Sequence, residues 1–486
     1  MTVPGGALSV HDLALRKNKI KKIFMYRICG TGMGATACLL KEKGYHIEGC
    51  DQRFYPPMGD YLKKTGIPLH DLSQLTTDAQ IQALLSQFDM VVVGNVIPKG
   101  GVDALRIEKS GVPYCSFPAA LGGLILGDVN VVGIAGTHGK TTSTYLLEQI
   151  FMKIGMHPGH FIGGVIDELA PAAMGDGRFF FIESDEYDSA YFEKYSKFRS
   201  YSIDNLILTS LEFDHGDIFN NVEEIKEQFR LAMPEIKKTI VACADYPAIL
   251  ELAQECGGKD SWIFYGDNKE CGPYIEQLTP EGSRFRLKFK GRDYTFNTNL
   301  VGRHNVLNLA AGLLYALAEG ISGEVLSHAI SDLKMVKRRQ EVRGVYRSSL
   351  VIDDFAHHPR AVEYTIESIK LQFPQKKIWV VLDPASATAR SDVFQKEFVN
   401  SLMNSDGVIL AKPERASTVK GRGNLDCEQL VSDLNKRGKE SHLAKNASEI
   451  LQQLNRLANP STLFLVLSNT TCLGLWESDF IRSLER

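Results

Sequence analysis

A lysine and two threonines directly behind a glycine turn are the residues of this chain with the plainest chemistry. In residues 131–150 (VVGIAGTHGKTTSTYLLEQI) an apolar run of Val131, Val132 and Ile134 meets Gly133, Gly136 and Gly139, and Tyr145, Leu146, Leu147 and Ile150 then recur at helical spacing. Strand, glycine loop and helix in that order make an anion nest. Glycines let backbone N–H groups turn inward, and the first turn of the helix adds unpaired donors and the positive end of its dipole. A phosphate chain fits there, with Lys140 as a point charge on the outer phosphates and the Thr141 hydroxyl positioned to ligate Mg²⁺. Because position 134 is Ile, the spacing follows G-x-x-G-x-x-G-K-T rather than G-x-x-x-x-G-K.

Two acidic clusters repeat one grammar further on. In RFFFIESDEYD an apolar run (Phe179 to Ile182) precedes Glu183, Asp185, Glu186 and Asp188, and in DNLILTSLEFDHGDIF Leu206 to Leu208 precede Glu212, Asp214, His215 and Asp217. Acids at a strand end suit a cation or a base, and Mg²⁺ prefers oxygen, which favours the carboxylates and leaves His215 as a base or supporting group. A solvated acidic loop is the plainer reading. Gly302, His304, Asn305 and Asn308 open a helical pattern, where an asparagine amide suits an adenine edge or a helix cap equally. Residues 337–344 (KRRQEVRG) read as a solvated connector or as a clamp on transferred phosphate. Asp353, Asp354, His357 and His358 lie just past a strand-like run, and a Zn²⁺ reading of them lacks a third nitrogen or sulfur ligand at fixed spacing.

The elements that must hold these residues are α/β throughout. In residues 22–51 a strand, a turn carrying Gly30, Gly32 and Ala35, a helix and a second strand ending in Asp51 give the diphosphate fingerprint G-x-G-x-x-G/A. Alone it admits a nicotinamide oxidoreductase. Beside a second phosphate turn it implies two nucleotides, and ATP hydrolysis as a binding switch is a further class. Strand-like FDMVVVGN and residues 113–116 close the first segment, and SLVIDD, KKIWVVLD, SDGVIL and STLFLVL alternate with helical patterns after 336, so parallel sheets are expected in both. The 486 residues suggest about three domains. A formal charge of −3 gives no footprint for nucleic acid, and Arg16, Lys17, Lys19, Lys21 and Lys22 read as a solvated flank. No apolar run is long enough for a bilayer and the start lacks a secretory pattern, so no membrane partner and a cytoplasmic location are expected. Nine cysteines without a C-x-x-C pair read as reduced thiols.

GTHGKTT (Gly136 to Thr142), ESDEYD, EFDHGD, GRHNVLN, KRR and DDFAHHP, in that order, resemble the Mur ligases, the ATP-dependent amide-forming enzymes of peptidoglycan assembly, over nearly the whole chain. HHP and the first glycine turn are similar to the branch acting directly on UDP-N-acetylmuramate. CGTGMG, FYPPM (Phe54 to Met58), GDGRFFFIESDEYDSAYFEKYSKF and LEFDHGDIF look like the member that attaches a recycled tripeptide, L-alanyl-γ-D-glutamyl-meso-diaminopimelate, and the relative adding only L-alanine is the alternative.

The resemblance implies three α/β domains. Residues 1–125 would be Rossmann-like and bind UDP-sugar, 126–335 P-loop ATPase-like and bind ATP, and 336–486 Rossmann-like and bind the amino component. It implies Gly30, Thr31, Gly32, Met33, Asp51, Gly163 and Gly164 at UDP-sugar. Gly136, Thr137, His138, Gly139, Lys140, Thr141, Thr142, His304, Asn305, Asn308, Arg339 and Asp354 would hold ATP, and Thr141, Glu186 and His215 Mg²⁺. His357, His358, Ser386 and Arg390 would meet the amino substrate, with Lys140, Glu186, His215 and His358 catalytic and the enzyme a monomer or weak homodimer. Two departures stand out. Arg230 lies near the place where several Mur ligases carry a carbamylated lysine. Pro384, Ala385, Ser386, Ala387 and Thr388 stand where the peptide ligases have Pro-Arg-Ser-Asn-Thr, which leaves Arg390 as the arginine of residues 384–394.

Overall fold

The structure, a computed structural model, describes residues 6–55, 58–163, 170–257 and 261–485. It divides into two compact units, one of Met1–Gly136, Ser143–Ser210 and Lys226–Ile263, the other of Thr137–Thr142, Leu211–Ile225 and Phe264–Arg486.

In the first unit, β1 (Lys22–Tyr26), β2 (His46–Asp51), β3 (Leu69–Asp71), β4 (Met90–Val93) and β5 (Tyr114–Ser116) form a parallel sheet in the order β3-β2-β1-β4-β5. Ile23 to Tyr26 and Met90 to Val93 are buried without alternation, as a sheet covered on both faces requires. Gly30 caps the Thr31–Glu42 helix that leaves β1.

A second sheet uses β6 (Asn130–Ala135), β7 (Gly159–Phe161), β8 (Ala172–Ala173), β9 (Phe179–Ser184), β12 (Asn205–Leu208), β13 (Ile240–Cys243) and β14 (Trp262–Tyr265), in the order β14-β13-β12-β6-β9-β7-β8. A hairpin of β10 (Asp188–Ala190) and β11 (Glu193–Ser196) stands beside it in sequence. Ala135 of β6 lies opposite Ser184 on one side and Leu208 on the other. Three strands therefore end level, and Gly136, Glu186 and Thr209 follow at one carboxyl edge, where ligands of such sheets bind. The Lys140–Lys153 helix is fastened by Phe151, whose ring meets Phe179 and Phe181 edge-on at 5.0 and 4.8 Å.

The second unit contains an antiparallel meander, β15 (Tyr274–Thr279), β16 (Gly282–Phe289) and β17 (Arg292–Thr298), and the Arg303–Ala318 helix. Its six-stranded sheet is β18 (Glu341–Tyr346), β19 (Ser349–Asp354), β20 (Lys377–Asp383), β21 (Gly407–Ala411), β22 (Ser441–Ala444) and β23 (Thr462–Ser468), ordered β18-β19-β23-β20-β21-β22. All pair in parallel except β18 with β19. The four strands expected from sequence are β19, β20, β21 and β23. β18 lies inside the cationic connector and β22 is a four-residue strand, so neither shows an apolar run. No helix among the described residues is long and apolar enough to cross a membrane.

Phe181 is fully buried in the strand that leads to Glu186. Phe181→Ala should destabilise the protein by about 3–5 kcal/mol, the usual cost of deleting a buried ring. Equilibrium urea unfolding measures this, and an unchanged midpoint would contradict the packing described.

Candidate active site

The phosphate turn begins in the first unit. Gly136 has φ +134°, and a Cβ there would lie 2.5 Å from Thr209 Oγ1 and 2.7 Å from Ser210 N, so only glycine fits. Its N–H donates to Glu186 Oε1 at 3.0 Å. Glu186 is buried, and its backbone carbonyl accepts from Ser196 Oγ at 2.6 Å, so the residue is held through both its side chain and its main chain. Gly163 N donates to Glu183 Oε2 at 2.8 Å, and Gly164 lies outside the described residues. In the first sheet, Asp51 Oδ2 accepts from Cys29 N at 2.9 Å and Oδ1 faces Arg27 at 3.5 Å. The acid thus pins the turn that ends in Gly30, and Thr31, Gly32 and the buried Met33 open the helix that follows. Arg230 pairs with Glu227 and Glu255, and the buried Lys226 with Glu251 and Glu255.

In the second unit the turn continues as Thr137–Thr142, fastened to Glu212. Thr137 Oγ1 donates to Glu212 O at 3.2 Å and accepts from Glu212 N at 2.9 Å. His138 Nε2 lies 3.1 Å from Glu212 Oε2, and Arg360 Nη1 donates to Oε1 at 3.1 Å. The rings of His138 and His358 are 4.4 Å apart at 49°. Gly139 has φ +82°, and a Cβ would lie 2.3 Å from Asn308 Oδ1, which seats the turn against the Arg303–Ala318 helix. Thr141 and Thr142 are buried at the start of the helix behind Lys140. His215 has φ +53°, and the next residue, Gly216, donates its N–H to Thr388 Oγ1 at 2.9 Å, joining that loop to the one after β20.

At the start of the Arg303–Ala318 helix, Asn305 Nδ2 donates to Val301 O at 2.8 Å, which uses one amide hydrogen in a local bond. His304 Nε2 meets Gln340 Nε2 at 3.1 Å, so the amide donates and the ring hydrogen belongs on Nδ1, which has no partner among the described residues. Asp354 accepts from Gln340 N and Ala356 N, both at 2.8 Å, and Asp353 from Arg338 Nε at 3.1 Å and Arg343 Nη1 at 3.3 Å. These contacts tell against the zinc reading of Asp353, Asp354, His357 and His358: both oxygens of Asp354 accept from backbone, and Asp353 Oδ2 accepts from two arginines. They correct the connector too, since Arg338 also donates to Ser468 O and Thr470 O, leaving Arg339 over the Phe355 ring at 5.0 Å. His357 Nδ1 lies 3.0 Å from Phe355 O. Ser386 Oγ accepts from Ala389 N at 3.2 Å, and the buried Nε of Arg390 has no partner among the described residues. A cleft of about 600 Å³ is lined by Glu212, His358, Arg360, Tyr364 and Phe394, among others.

Burial resists ionisation of Glu212, but the His138 hydrogen bond and nearby positive charge hold its carboxyl down at about 2. Burial, with the neighbouring His138, pushes His358 down to about 3, and burial beside Arg339 pushes His304 to about 4, so both rings are neutral at pH 7. Arg360, Tyr364 and Thr388 were not singled out by spacing. Arg360 sits two residues after the His-His pair, but nothing in the sequence ties it to Glu212.

The sequence matches three family profiles: "Mur ligase family, catalytic domain" over residues 22–128, "Mur ligase middle domain" over 134–316 and "Mur ligase, glutamate ligase domain" over 338–470. It is 31% identical over 465 residues to UDP-N-acetylmuramate--L-alanyl-gamma-D-glutamyl-meso-2,6-diaminoheptandioate ligase of Haemophilus influenzae, covering 94% of this chain and 98% of that one. The enzyme of the same name from Escherichia coli is 31% identical over 92% and 95%, and UDP-N-acetylmuramate--L-alanine ligase of Lactobacillus delbrueckii subsp. bulgaricus 28% over 86% and 90%. Among solved structures, a murein peptide ligase from Psychrobacter arcticus superposes with a TM-score of 0.66 at 26% identity, over 94% of this chain and 97% of that one. A UDP-N-acetylmuramate-alanine ligase from Thermotoga maritima gives 0.72 at 21% identity, over 95% and 98%, a likeness of fold.

The neutral rings set a pH dependence. The unfolded chain protonates them near 6.5 and the folded protein only near 4 and 3, so the unfolded state binds more protons in that window and stability falls as pH drops below about 6.5. Moving from pH 7 to pH 5 should cost about 1–2 kcal/mol per ring. Urea midpoints across that range would show it, and His304→Gln should flatten the profile. A profile equally steep in the variant would contradict the role given to His304.

Proposed function

Because this chain belongs to the Mur ligase family, we propose that it uses ATP to join the lactyl carboxylate of UDP-N-acetylmuramate to the free amine of L-alanyl-γ-D-glutamyl-meso-diaminopimelate, in peptidoglycan recycling. The observation that carries the reading is the fastening of Thr137 and His138 to Glu212, whose carboxylate also holds Arg360 at the start of the helix behind His358. A phosphate turn bonded to the helix start of a second nucleotide-type sheet suits a reaction in which phosphate moves to a carboxylate and an amine then displaces it. The γ-phosphoryl group passes to the lactyl carboxylate, the amine attacks the acyl phosphate, and phosphate leaves the tetrahedral intermediate.

Roles follow from donor types. Residues 137–142 present backbone N–H groups to the phosphates, and Lys140 places a charge where negative charge develops. Thr141, Glu186 and His215 are the residues that the family resemblance assigns to Mg²⁺, the hydroxyl of Thr141 and the buried carboxylate of Glu186 being the oxygen donors that this ion prefers. That ion, when bound, supplies charge neutralisation on the phosphates. His304, Asn305, Asn308, Arg339 and Asp354 complete the ATP site in this reading. Gly30, Thr31, Gly32, Met33, Asp51, Gly163 and Gly164 serve UDP-sugar, and His357, His358, Ser386 and Arg390 the amino component. The corresponding domains are 1–125, 126–335 and 336–486, in a cytoplasmic monomer or weak homodimer.

Phosphate release with UDP-N-acetylmuramate, comparing tripeptide with L-alanine, tests the reading: tripeptide should have the higher kcat/KM, and the reverse order would make this an alanine-adding enzyme. Lys140→Ala should lower turnover by about 10²-fold or more with an unchanged melting curve. Full turnover in that variant would remove the loop from the chemistry. Arg390 has a buried Nε without a hydrogen-bond partner among the described residues, which suits a peptide carboxylate. Arg390→Ala should raise the KM for tripeptide about tenfold and leave that for UDP-sugar nearly unchanged; equal effects on both would disconnect it from the peptide.

A further inference from the structure

We propose that His138, Glu212 and His358 form a second cation site, for a borderline divalent ion of the zinc class, separate from the proposed magnesium site. One ring nitrogen of each histidine and one carboxylate oxygen of Glu212 lie within 4.8 Å of one another. In a tetrahedral zinc centre with bonds near 2.1 Å the ligand atoms stand about 3.4 Å apart, so ordinary side-chain rotation closes the difference. Two nitrogens and one oxygen are a set that suits zinc better than magnesium, which prefers oxygen donors.

Three further observations point to a ligand there. His358 Nε2 is buried and has no hydrogen-bond partner among the described residues, an uncommon state for a buried polar atom. Arg360 occupies Glu212 Oε1, which leaves Oε2 turned to His138. Glu212 and His358 both line the cleft of about 600 Å³, which gives an ion a route and room for water as a fourth ligand. Ligation through His358 Nε2 places the ring hydrogen on Nδ1 and gives up the long 3.4 Å contact from Arg360 N. The zinc reading suggested by the His-His pair thus finds its partners in residues 138 and 212, not in Asp353 and Asp354. The site does not depend on the ligase reading. One consequence does: an ion bridging the phosphate turn to residue 358 would hold His138 away from nucleotide, so zinc would inhibit where magnesium supports turnover.

Calorimetric titration of the nucleotide-free, full-length protein with ZnCl₂ tests the proposal, alongside Co²⁺ absorption. The expected result is one equivalent of zinc bound in the presence of excess Mg²⁺, weakened at least tenfold by His138→Asn, Glu212→Gln and His358→Asn but not by His215→Asn. Co²⁺ should give the d–d bands of a tetrahedral nitrogen and oxygen site. Absence of zinc binding, or binding lost only in His215→Asn, would overturn the assignment. A sulfur-to-cobalt charge-transfer band would do the same by placing the ion on a thiol, and it reads the unmutated protein even if a variant fails to fold.

Discussion

The carboxylate of Glu212 is the group on which the second unit's part of the phosphate turn depends. It accepts from Arg360 through one oxygen and faces His138 with the other, while the peptide group of the same residue exchanges two hydrogen bonds with Thr137. A largely enclosed anion between a guanidinium and an imidazole is favourable only as a set. Removing it would leave Arg360 and His138 without their common partner, a loss larger than the pair itself contributes. The low pKa of Glu212 expresses the same coupling, since the effect of burial is outweighed by those neighbours. Two residues of the turn are thus fixed by side chain and backbone together, and Lys140 follows them on a helix anchored by Phe151.

What the sequence made legible was what local backbone rules enforce. Gly136 and Gly139 are glycines because φ is +134° and +82° and because a Cβ would strike Thr209 and Asn308, so the turn announces itself by composition. Strands such as β6, β9, β20 and β23 are buried on both faces and read as unbroken apolar runs. The contact of His138 with His358 spans 220 positions and obeys no spacing, and it exists only because separate loops meet in one unit. The acids at the end of β19 mislead for a related reason. A carboxylate at a strand end has the same appearance in sequence whether it awaits a cation from solution or takes one from an arginine, and Asp353 takes two.

The connector shows how the remaining cation is placed. Arg338 and Gln340 both have left-handed backbones, φ +58° and +53°, a conformation that costs a non-glycine residue on the order of 1 kcal/mol or more. That cost is met locally. Phe355 N donates to Arg338 O, Gln340 N donates to Asp354 Oδ2, and the Arg338 guanidinium reaches Asp353, Ser468 O and Thr470 O. Asp383 in turn accepts from the hydroxyls of Ser468 and Thr470, which locks the loop after β23 that Arg338 grips. Arg339, between the two strained residues, has its backbone fixed on either side and its guanidinium laid on Phe355. A flexible linker would leave such a cation to sample solvent. Here the peptide groups on both flanks are committed to the end of β19, and the Arg338 guanidinium to the end of β23, so the direction of Arg339 is a property of the sheet edge.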